Sequence, residues 1–294
     1  MSQFVQHIVD AATLGSFYAL FALGIALIFG IMRLVNFAHG ELIMVGAYAV
    51  YLTQHLPWPV IVATAIASSV AMALVTERVA FRSVRGASPA TLLITSFAVS
   101  YLLQSLGRLI FTSLPKSADI DPLLRESFVV GGVFVSWLTM ITIGVTIALL
   151  AAVAVFLRAT NIGTQMRAAA EDFDAARLCG VDANRVVAAA FGLSGLLAAA
   201  AALLLVGQTG SLFPTMGLTP VLFGFTAAVI GGMETLAGAV LGGYLLGAGS
   251  TALTIALPTT VAPFRDAFLF LLVMAVLTLR PQGLLRARTA VTRV

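Results

Sequence analysis

Apolar and polar residues along this chain occur in long blocks. Nine apolar runs are separated by shorter polar stretches, and they cover residues 11–31, 41–54, 58–76, 89–111, 133–157, 186–207, 219–233, 236–257 and 264–280. A helix needs about 20 mostly apolar residues to cross a bilayer core. The second and seventh runs are short for a full crossing, so broken or re-entrant helices are expected there. The pattern predicts an all-α, polytopic membrane bundle with eight or nine membrane segments.

Composition supports a lipid-facing surface. The 294 residues are 60% hydrophobic and 10% charged, and the mean hydropathy is +1.06. Soluble domains carry about 25% charged residues, so this chain lacks the charge to cover a water-facing surface. The length suits one transmembrane domain over residues 1–294, without a large soluble domain beside it. The N-terminus shows neither a basic region nor a cleavage site, so we expect the first run to be a permanent span.

Basic residues indicate the orientation. If the N-terminus lies outside and every run crosses, twelve of the sixteen basic residues fall inside, which follows the positive-inside rule. The inner group is Arg33, Arg78, Arg82, Arg85, Arg158, Arg167, Arg177, Arg185, Arg280, Arg286, Arg288 and Arg293. The prediction is therefore N-out and C-in, with an outer polar loop at 112–132 and an inner polar segment at 158–185. Because the bases flank apolar runs, membrane lipid is the expected contact, and nucleic acid is not.

The inner segment 158–185 has helical periodicity. Its apolar residues recur on one face, and oppositely charged residues stand three or four apart on the other. The apolar set is Met166, Ala169, Ala170, Phe173 and Ala176. Gly180 follows where a helix stop is expected. The pattern predicts one short amphipathic helix at the membrane surface. It fits a plain surface connector or a helix that docks in a groove of a soluble partner.

Several motifs resemble a known family. The stretch Gly163–Leu205 contains AEDFDAARLCGVDANRVVAAAFGLSG, residues 34–48 read LVNFAHGELIMVGAY, residues 229–243 read VIGGMETLAGAVLGG, and residues 277–286 read LTLRPQGLLR. Together they resemble, in order, the permeases of branched-chain amino-acid ABC importers of the LivH type. The broad family also includes permeases of urea and amide importers, so the motifs do not choose the solute.

The resemblance implies a coupling helix at about Gln165–Gly180 that docks on an ATPase subunit. It assigns this contact to Arg167, Glu171, Asp172, Phe173, Ala175, Ala176 and Gly180. It also implies a heterodimer with a second related permease subunit, two cytosolic ATPase subunits and a periplasmic solute-binding protein, in a bacterial inner membrane. Solute would cross by alternating access. ATP would be bound by the ATPases, so this chain is expected to need no cofactor and to have no catalytic residues.

Polar residues also occur within or beside the spans. Asn36, His39 and Glu41 lie at the junction of the first two runs, and Glu234 follows the pair Gly231–Gly232 at a comparable break in the second half of the chain. An ionisable group in a membrane segment suggests a function, because leaving it in lipid costs about 3 kcal/mol or more. We predict that these six residues shape a gate between two halves of the bundle. The structural alternative is that Asn36 caps a helix whose first turn contains Glu41.

Other function classes fit less well. The sequence has no GxxxxGK[ST], HExxH or GxSxG motif, so neither its own ATPase site nor a membrane hydrolase site is indicated. One cysteine, Cys179, excludes an internal disulfide and a cysteine-based zinc site, and no metal site is expected. The alternative is an ion-coupled secondary transporter or channel, in which Glu41 and Glu234 would bind the coupling ion.

Overall fold

The computed structural model of the chain describes residues 2–118, 126–233, 235–279 and 283. Within those ranges it contains α1 (Ser2–Met32), α2 (His39–Thr53), α3 (Trp58–Thr76), α4 (Pro89–Phe111), α5 (Trp137–Ala159), α6 (Asn161–Glu171), α7 (Phe173–Leu178), α8 (Ala183–Thr209), α9 (Leu218–Gly231), α10 (Leu236–Ala256) and α11 (Arg265–Leu279). Each predicted run coincides with one helix, which confirms the all-α class. Seven helical segments of the described residues are long and apolar enough to cross a membrane. The two short runs form α2 and α9.

Polar residues just outside the apolar runs fix where several helices begin. In each case a side-chain oxygen accepts a hydrogen bond from a backbone N–H two or three residues later. These N-caps are Ser88, Ser136, Thr160, Asp182 and Thr235. The first turn of a helix leaves backbone donors without partners, and such a cap satisfies one or two of them.

Four short strands lie in the connections within the described part of the chain. They are β1 (Lys116–Ser117), β2 (Ser127–Val130), β3 (Val133–Ser136) and β4 (Ser211–Leu212). Antiparallel pairs join β1 to β4 and β2 to β3. The predicted outer loop at 112–132 therefore contains β1 and β2, and residues 119–125 of that loop lie outside the described ranges.

Contacts between helix ends sort these ends onto two faces. On what we call the first face, the N–H of Phe134 donates to Gln6 Oε1 at 2.8 Å and joins the starts of α1 and α5. The pairing of Lys116 with Leu212 joins the ends of α4 and α8 on that face. On the opposite, second face, Arg85 Nη1 donates to Asn184 Oδ1 at 2.8 Å and joins the end of α3 to the start of α8. Helices α6 and α7 connect α5 to α8 on the second face.

The helices form two inverted halves around a central pair. In the apolar stretch of α1, 83% of the residues are buried, and in that of α8 the share is 61%. In the last span only 11% of the residues are buried. Helix α1 packs on α10 and α9, and α8 packs correspondingly on α3 and α2. In the same way α2 packs on α3 and α4, and α9 on α10 and α11. Because α1 and α8 run in opposite directions between the faces, α1–α4 and α8–α11 are related as an inverted repeat.

Glycines allow α10 to approach both neighbours closely. A Cβ atom at Gly242 would overlap the carbonyl of Ala227 in α9, and one at Gly247 would overlap the backbone of Gly15 in α1. Small residues on helix faces permit such backbone contact between membrane helices. Packing of α10 therefore ties the second half of the bundle to α1.

Candidate docking segment and intramembrane junction

The segment between α5 and α8 forms two helices, so the single helix predicted from the sequence is wrong. The backbone is extended at Asp172, between α6 and α7. The Asp172 carboxylate accepts the N–H of Ala175 at 2.9 Å and caps α7. Aspartate favours such caps over helix interiors, because its short side chain bonds to nearby backbone N–H groups. The predicted stop at Gly180 is confirmed, since this residue has φ +87°.

One side of the segment is fixed to the bundle. Met166, Ala169 and Ala176 are buried, and half-buried Ala170 and Phe173 pack against the same core. The apolar face predicted from the periodicity is confirmed. Of the seven residues assigned to ATPase docking, Phe173 and Ala176 therefore anchor the segment. The other five are exposed: Arg167, Glu171, Asp172, Ala175 and Gly180.

The exposed side of α7 carries an apolar patch that the sequence analysis missed. Leu178 is 90% exposed, and Ala175 and Cys179 beside it are also exposed. These residues stand three and four apart, so they share one face of the helix. We call Ala175, Leu178 and Cys179 the α7 patch. Arg177 lies next to it and faces Asp174 at 4.0 Å, which gives the patch a charged border.

The junction between α1 and α2 buries all three polar residues that the sequence singled out. Asn36 is 1% exposed, and its Oδ1 accepts the N–H of Ala38 at 3.1 Å. Its carbonyl accepts the N–H of His39 at 3.2 Å. Asn36 therefore forms a turn just before α2, whose N-cap is Ala38 without a side-chain hydrogen bond, and Glu41 lies in the first helical turn. The first-turn position considered for Glu41 is confirmed, whereas the helix cap considered for Asn36 is wrong, because its side chain bonds to Ala38 outside the helix.

His39 connects three helices at the centre of the bundle. Its side chain is fully buried, and its Nδ1 lies 2.9 Å from the hydroxyl oxygen of Ser194 in α8. Gly24 of α1 leaves room for the imidazole, since a Cβ atom there would overlap the ring. His39 thus holds α2 against the two central helices.

Glu41 connects α2 to α4. Its Oε1 accepts hydrogen bonds from the hydroxyl of Ser100 at 2.9 Å and from Gln104 Nε2 at 2.7 Å. Its Oε2 has no hydrogen-bond partner among the described residues, although Glu41 is 1% exposed. Beside it, the Phe37 ring stacks on Phe97 of α4 with centroids 4.3 Å apart. The start of α2 is therefore attached to α4 by polar and aromatic contacts.

The two inverted halves meet at a pair of glycines. A Cβ atom at Gly40 would overlap the Gly217 carbonyl, and one at Gly217 would overlap the Gly40 carbonyl. The starts of α2 and α9 therefore touch backbone to backbone. This contact shows that the break matching residues 33–38 is the loop 210–217 before α9. The equivalence with Gly231–Gly232, drawn from the sequence, is wrong because those glycines end α9.

Gly231 and Gly232 lie away from Asn36, His39 and Glu41. The 14 residues of α9 separate them from the Gly40–Gly217 contact by about 20 Å, at 1.5 Å per residue. Gly231 packs against the backbone of Gly238, and Gly232 has φ +106° in the turn to α10. Glu234 lies outside the described residues.

Comparison with known proteins identifies the family of this chain. A family model described as "Branched-chain amino acid transport system / permease component" matches residues 7–277. The chain belongs to this permease family. BraD of Pseudomonas aeruginosa, a high-affinity branched-chain amino acid transport system permease protein, is 34% identical over 96% of this chain and 95% of its own length. LivH of Escherichia coli, which carries the same description, is 32% identical over the same shares.

A solved structure has a similar fold. A chain of "PsaBC from Streptococcus pneumoniae in complex with Fab" matches with a TM-score of 0.52. The match covers 94% of this permease and 92% of that chain, at 14% identity. At this identity, the likeness concerns the fold alone.

The sequence analysis missed the hydrogen-bond partners of the permease's buried Glu41 and His39 side chains. Ser100 and Gln104 bond to Glu41, and Ser194 bonds to His39. A signal for the first pair exists, because Ser96, Ser100 and Gln104 recur every four residues and mark a polar stripe along α4. Ser194 lies among alanines, glycines and leucines in α8, and nothing in the local pattern points to it.

Proposed function

We propose that this permease is one of two related subunits of a bacterial inner-membrane importer, and that separate ATPases drive its transport cycle by binding α6 and α7. The observation that carries the proposal is the construction of this segment. Its buried side is fixed to the core by Met166 and Ala169, while its exposed side presents the α7 patch. A surface helix held this way can transmit force into the bundle, and a loosely tethered connector could not.

Charge supports a cytosolic position for the second face. Among the described residues, that face carries Arg33, Arg78, Arg82, Arg85, Arg158, Arg167, Arg177 and Arg185, whereas the first face carries Arg108, Lys116 and Arg265. Basic residues accumulate on the cytoplasmic side of membrane proteins. We therefore propose that α6 and α7 face the cytosol, where ATPases bind, and that the strands of the first face point to the periplasm.

The chemistry of the α7 patch suits a protein contact. Exposed leucine and alanine side chains gain free energy when a partner removes them from water. Exposed Arg167 and Glu171 would form a charged rim, which contributes more to orientation than to affinity. We assign the docking contact to these residues with Asp172, Ala175 and Gly180, and we add Leu178 as its apolar centre. Phe173 and Ala176 contribute from the buried side.

We further propose that the junction closes the solute path between the halves. Asn36, His39 and Glu41 attach the start of α2 to its own loop, to α8 and to α4, respectively. The tight contact of Gly40 with Gly217 lies beside them. Since α8 follows the docking segment directly, a shift of α8 would act on the His39–Ser194 contact. Gly231 and Gly232 would let α9 turn relative to α10, and Glu234 is kept as a gate residue from the sequence alone.

The proposed solutes are branched-chain amino acids, for which BraD and LivH are named. A periplasmic binding protein would deliver them to the first face, and the chain itself would hold no cofactor. We test this by affinity purification from membranes, followed by reconstitution of the purified assembly in vesicles. Two ATPases, a second permease and ATP-dependent leucine accumulation are expected. Accumulation that follows a proton gradient and ignores ATP would contradict the proposal, and urea-dependent ATP hydrolysis without a response to leucine would refute the substrate class.

A further inference from the structure

The end of α3 is joined to the start of α8 by a polar cluster that belongs neither to the α7 patch nor to the junction. Helix α3 continues into a π-helical turn, Glu77–Phe81, and then into a 3-10 turn, Arg82–Val84. Glu77 is 4% exposed and pairs with the Arg85 guanidinium. Through Nη1, the same guanidinium donates to Asn184 Oδ1 at 2.8 Å. One side chain therefore bridges a buried carboxylate of the first half and the first turn of α8.

A second contact holds the π-helical turn against α8. Phe81 and Phe191 are both fully buried, and their ring centroids lie 5.4 Å apart. A π-helical turn is rare and often marks a functional position, because its hydrogen bonds and packing are less regular than those of an α-helix. The apolar contact keeps this turn beside α8, while Arg85 fixes the position of its end.

The connection from α7 to Asn184 is short and held by several hydrogen bonds. The N–H of Val181 donates to the carbonyl of Ala176 at 3.1 Å. Asp182 then accepts the N–H groups of Asn184 and Arg185 at 2.9 and 3.3 Å. No flexible linker separates the α7 patch from α8, so a displacement of α7 reaches Asn184.

The electrostatic surroundings of Arg85 fit a fixed bridge. Its side chain is 15% exposed. Burial lowers the pKa of the guanidinium, and the nearby Asp182 carboxylate opposes that change. Loss of the charge–charge contact would leave Glu77 buried without its partner, which is costly. The cluster therefore resists opening, and Arg85 keeps one geometry relative to α8.

We propose that Arg85 is a positioning residue that passes ATPase-driven movement of α6 and α7, through Asn184, to the second-face end of α3. The inference rests on the proposed function, because it needs a motor that acts on α6 and α7. In this arrangement α8 moves the end of α3 together with its own start. Both halves of the inverted repeat then respond to one docking event, and hydrolysis is converted into a change of the solute path.

The test compares solute accumulated per ATP hydrolysed in the reconstituted complex. Asn184→Ala removes the acceptor for Arg85 and leaves the Glu77–Arg85 pair in place. We expect it to lower this coupling ratio at least threefold, with ATP hydrolysis within twofold of wild type. Asn184→Asp keeps an acceptor oxygen and should restore coupling. Arg185→Ala is the matched control in the same turn, since it breaks only the exposed Arg185–Asp182 pair of 3.2 Å.

The outcomes separate this inference from the function on which it rests. A wild-type complex without ATP-driven uptake would refute both. Normal coupling in both wild type and Asn184→Ala would refute only the role proposed for Arg85. A coupling defect in Arg185→Ala as large as that in Asn184→Ala would also refute that role. The double variant Arg85→Gln/Asn184→Ala should have a coupling ratio no lower than that of Arg85→Gln alone, because each substitution removes the same Arg85–Asn184 contact. An additive loss would contradict the proposed path.

Discussion

Replacing Glu41 tests how strongly the junction depends on one buried carboxylate. Glu41→Ala removes the acceptor of Ser100 and Gln104. Gln104 Nε2 lies 3.3 Å from the Ser100 oxygen and can donate there, so one donor, the Ser100 hydroxyl, is left unsatisfied at about 1–2 kcal/mol. The lost γ-methylene group adds about 0.8 kcal/mol. We expect a free energy of unfolding lower by about 2 kcal/mol.

The measurement is denaturant unfolding of the purified permease in detergent, with two comparison variants. Glu41→Gln keeps Oε1 as an acceptor for both donors and should stay within about 1 kcal/mol of wild type. Exposed Glu171→Ala should change stability by less than about 0.5 kcal/mol. If Glu41→Ala unfolds at the wild-type midpoint, the proposed attachment of α2 to α4 is refuted. For the gate, Glu41→Gln should lower uptake without loss of folded protein, because its amide cannot replace the acceptor Oε2. Normal uptake would remove Glu41 from the closure.

Three further predictions concern other contacts. Leu178→Asp should weaken ATPase binding at least tenfold, since burying a leucine side chain contributes about 2 kcal/mol. A binding assay with immobilised ATPase measures this affinity, and an unchanged value would exclude Leu178 from the docking contact. Gly217→Val should sharply reduce the amount of folded protein in membranes, because it separates α2 from α9. Gly144→Val should not, because a Cβ atom there meets nothing within 4 Å. Equal yields of the two variants would contradict the close contact of Gly40 with Gly217. Asp172→Ala should destabilise α7 by about 1 kcal/mol, seen as faster hydrogen exchange there; unchanged exchange would argue against the cap.

The spans could be predicted from sequence because each one is a local property. A run such as 89–111 contains enough apolar residues to specify a membrane helix by itself, and α4 has those bounds. The apolar face of the docking segment also follows from spacing alone. The sequence did not reveal the division into α6 and α7. The apolar periodicity continues across Asp172, but the helical backbone conformation is interrupted there.

The partners of the buried polar residues could not be predicted, because they come from distant parts of the chain. Ser100 is 59 residues from Glu41, and Ser194 is 155 residues from His39. The relation between the halves was misassigned for a similar reason. Gly231–Gly232 is the more conspicuous sequence break, whereas the true counterpart of the first junction depends on the contact of Gly40 with Gly217.

In the proposed function, α6 and α7 face the cytosol and bind the ATPases there. Cys179 is the one cysteine of the chain and is exposed in the α7 patch, so the native protein can be tested with a membrane-impermeant maleimide. We predict no labelling in intact spheroplasts, rapid labelling in inverted vesicles stripped of ATPases, and protection when the ATPases are added back. Labelling of Cys179 from outside intact spheroplasts, or unchanged labelling with the ATPases bound, would contradict the claim.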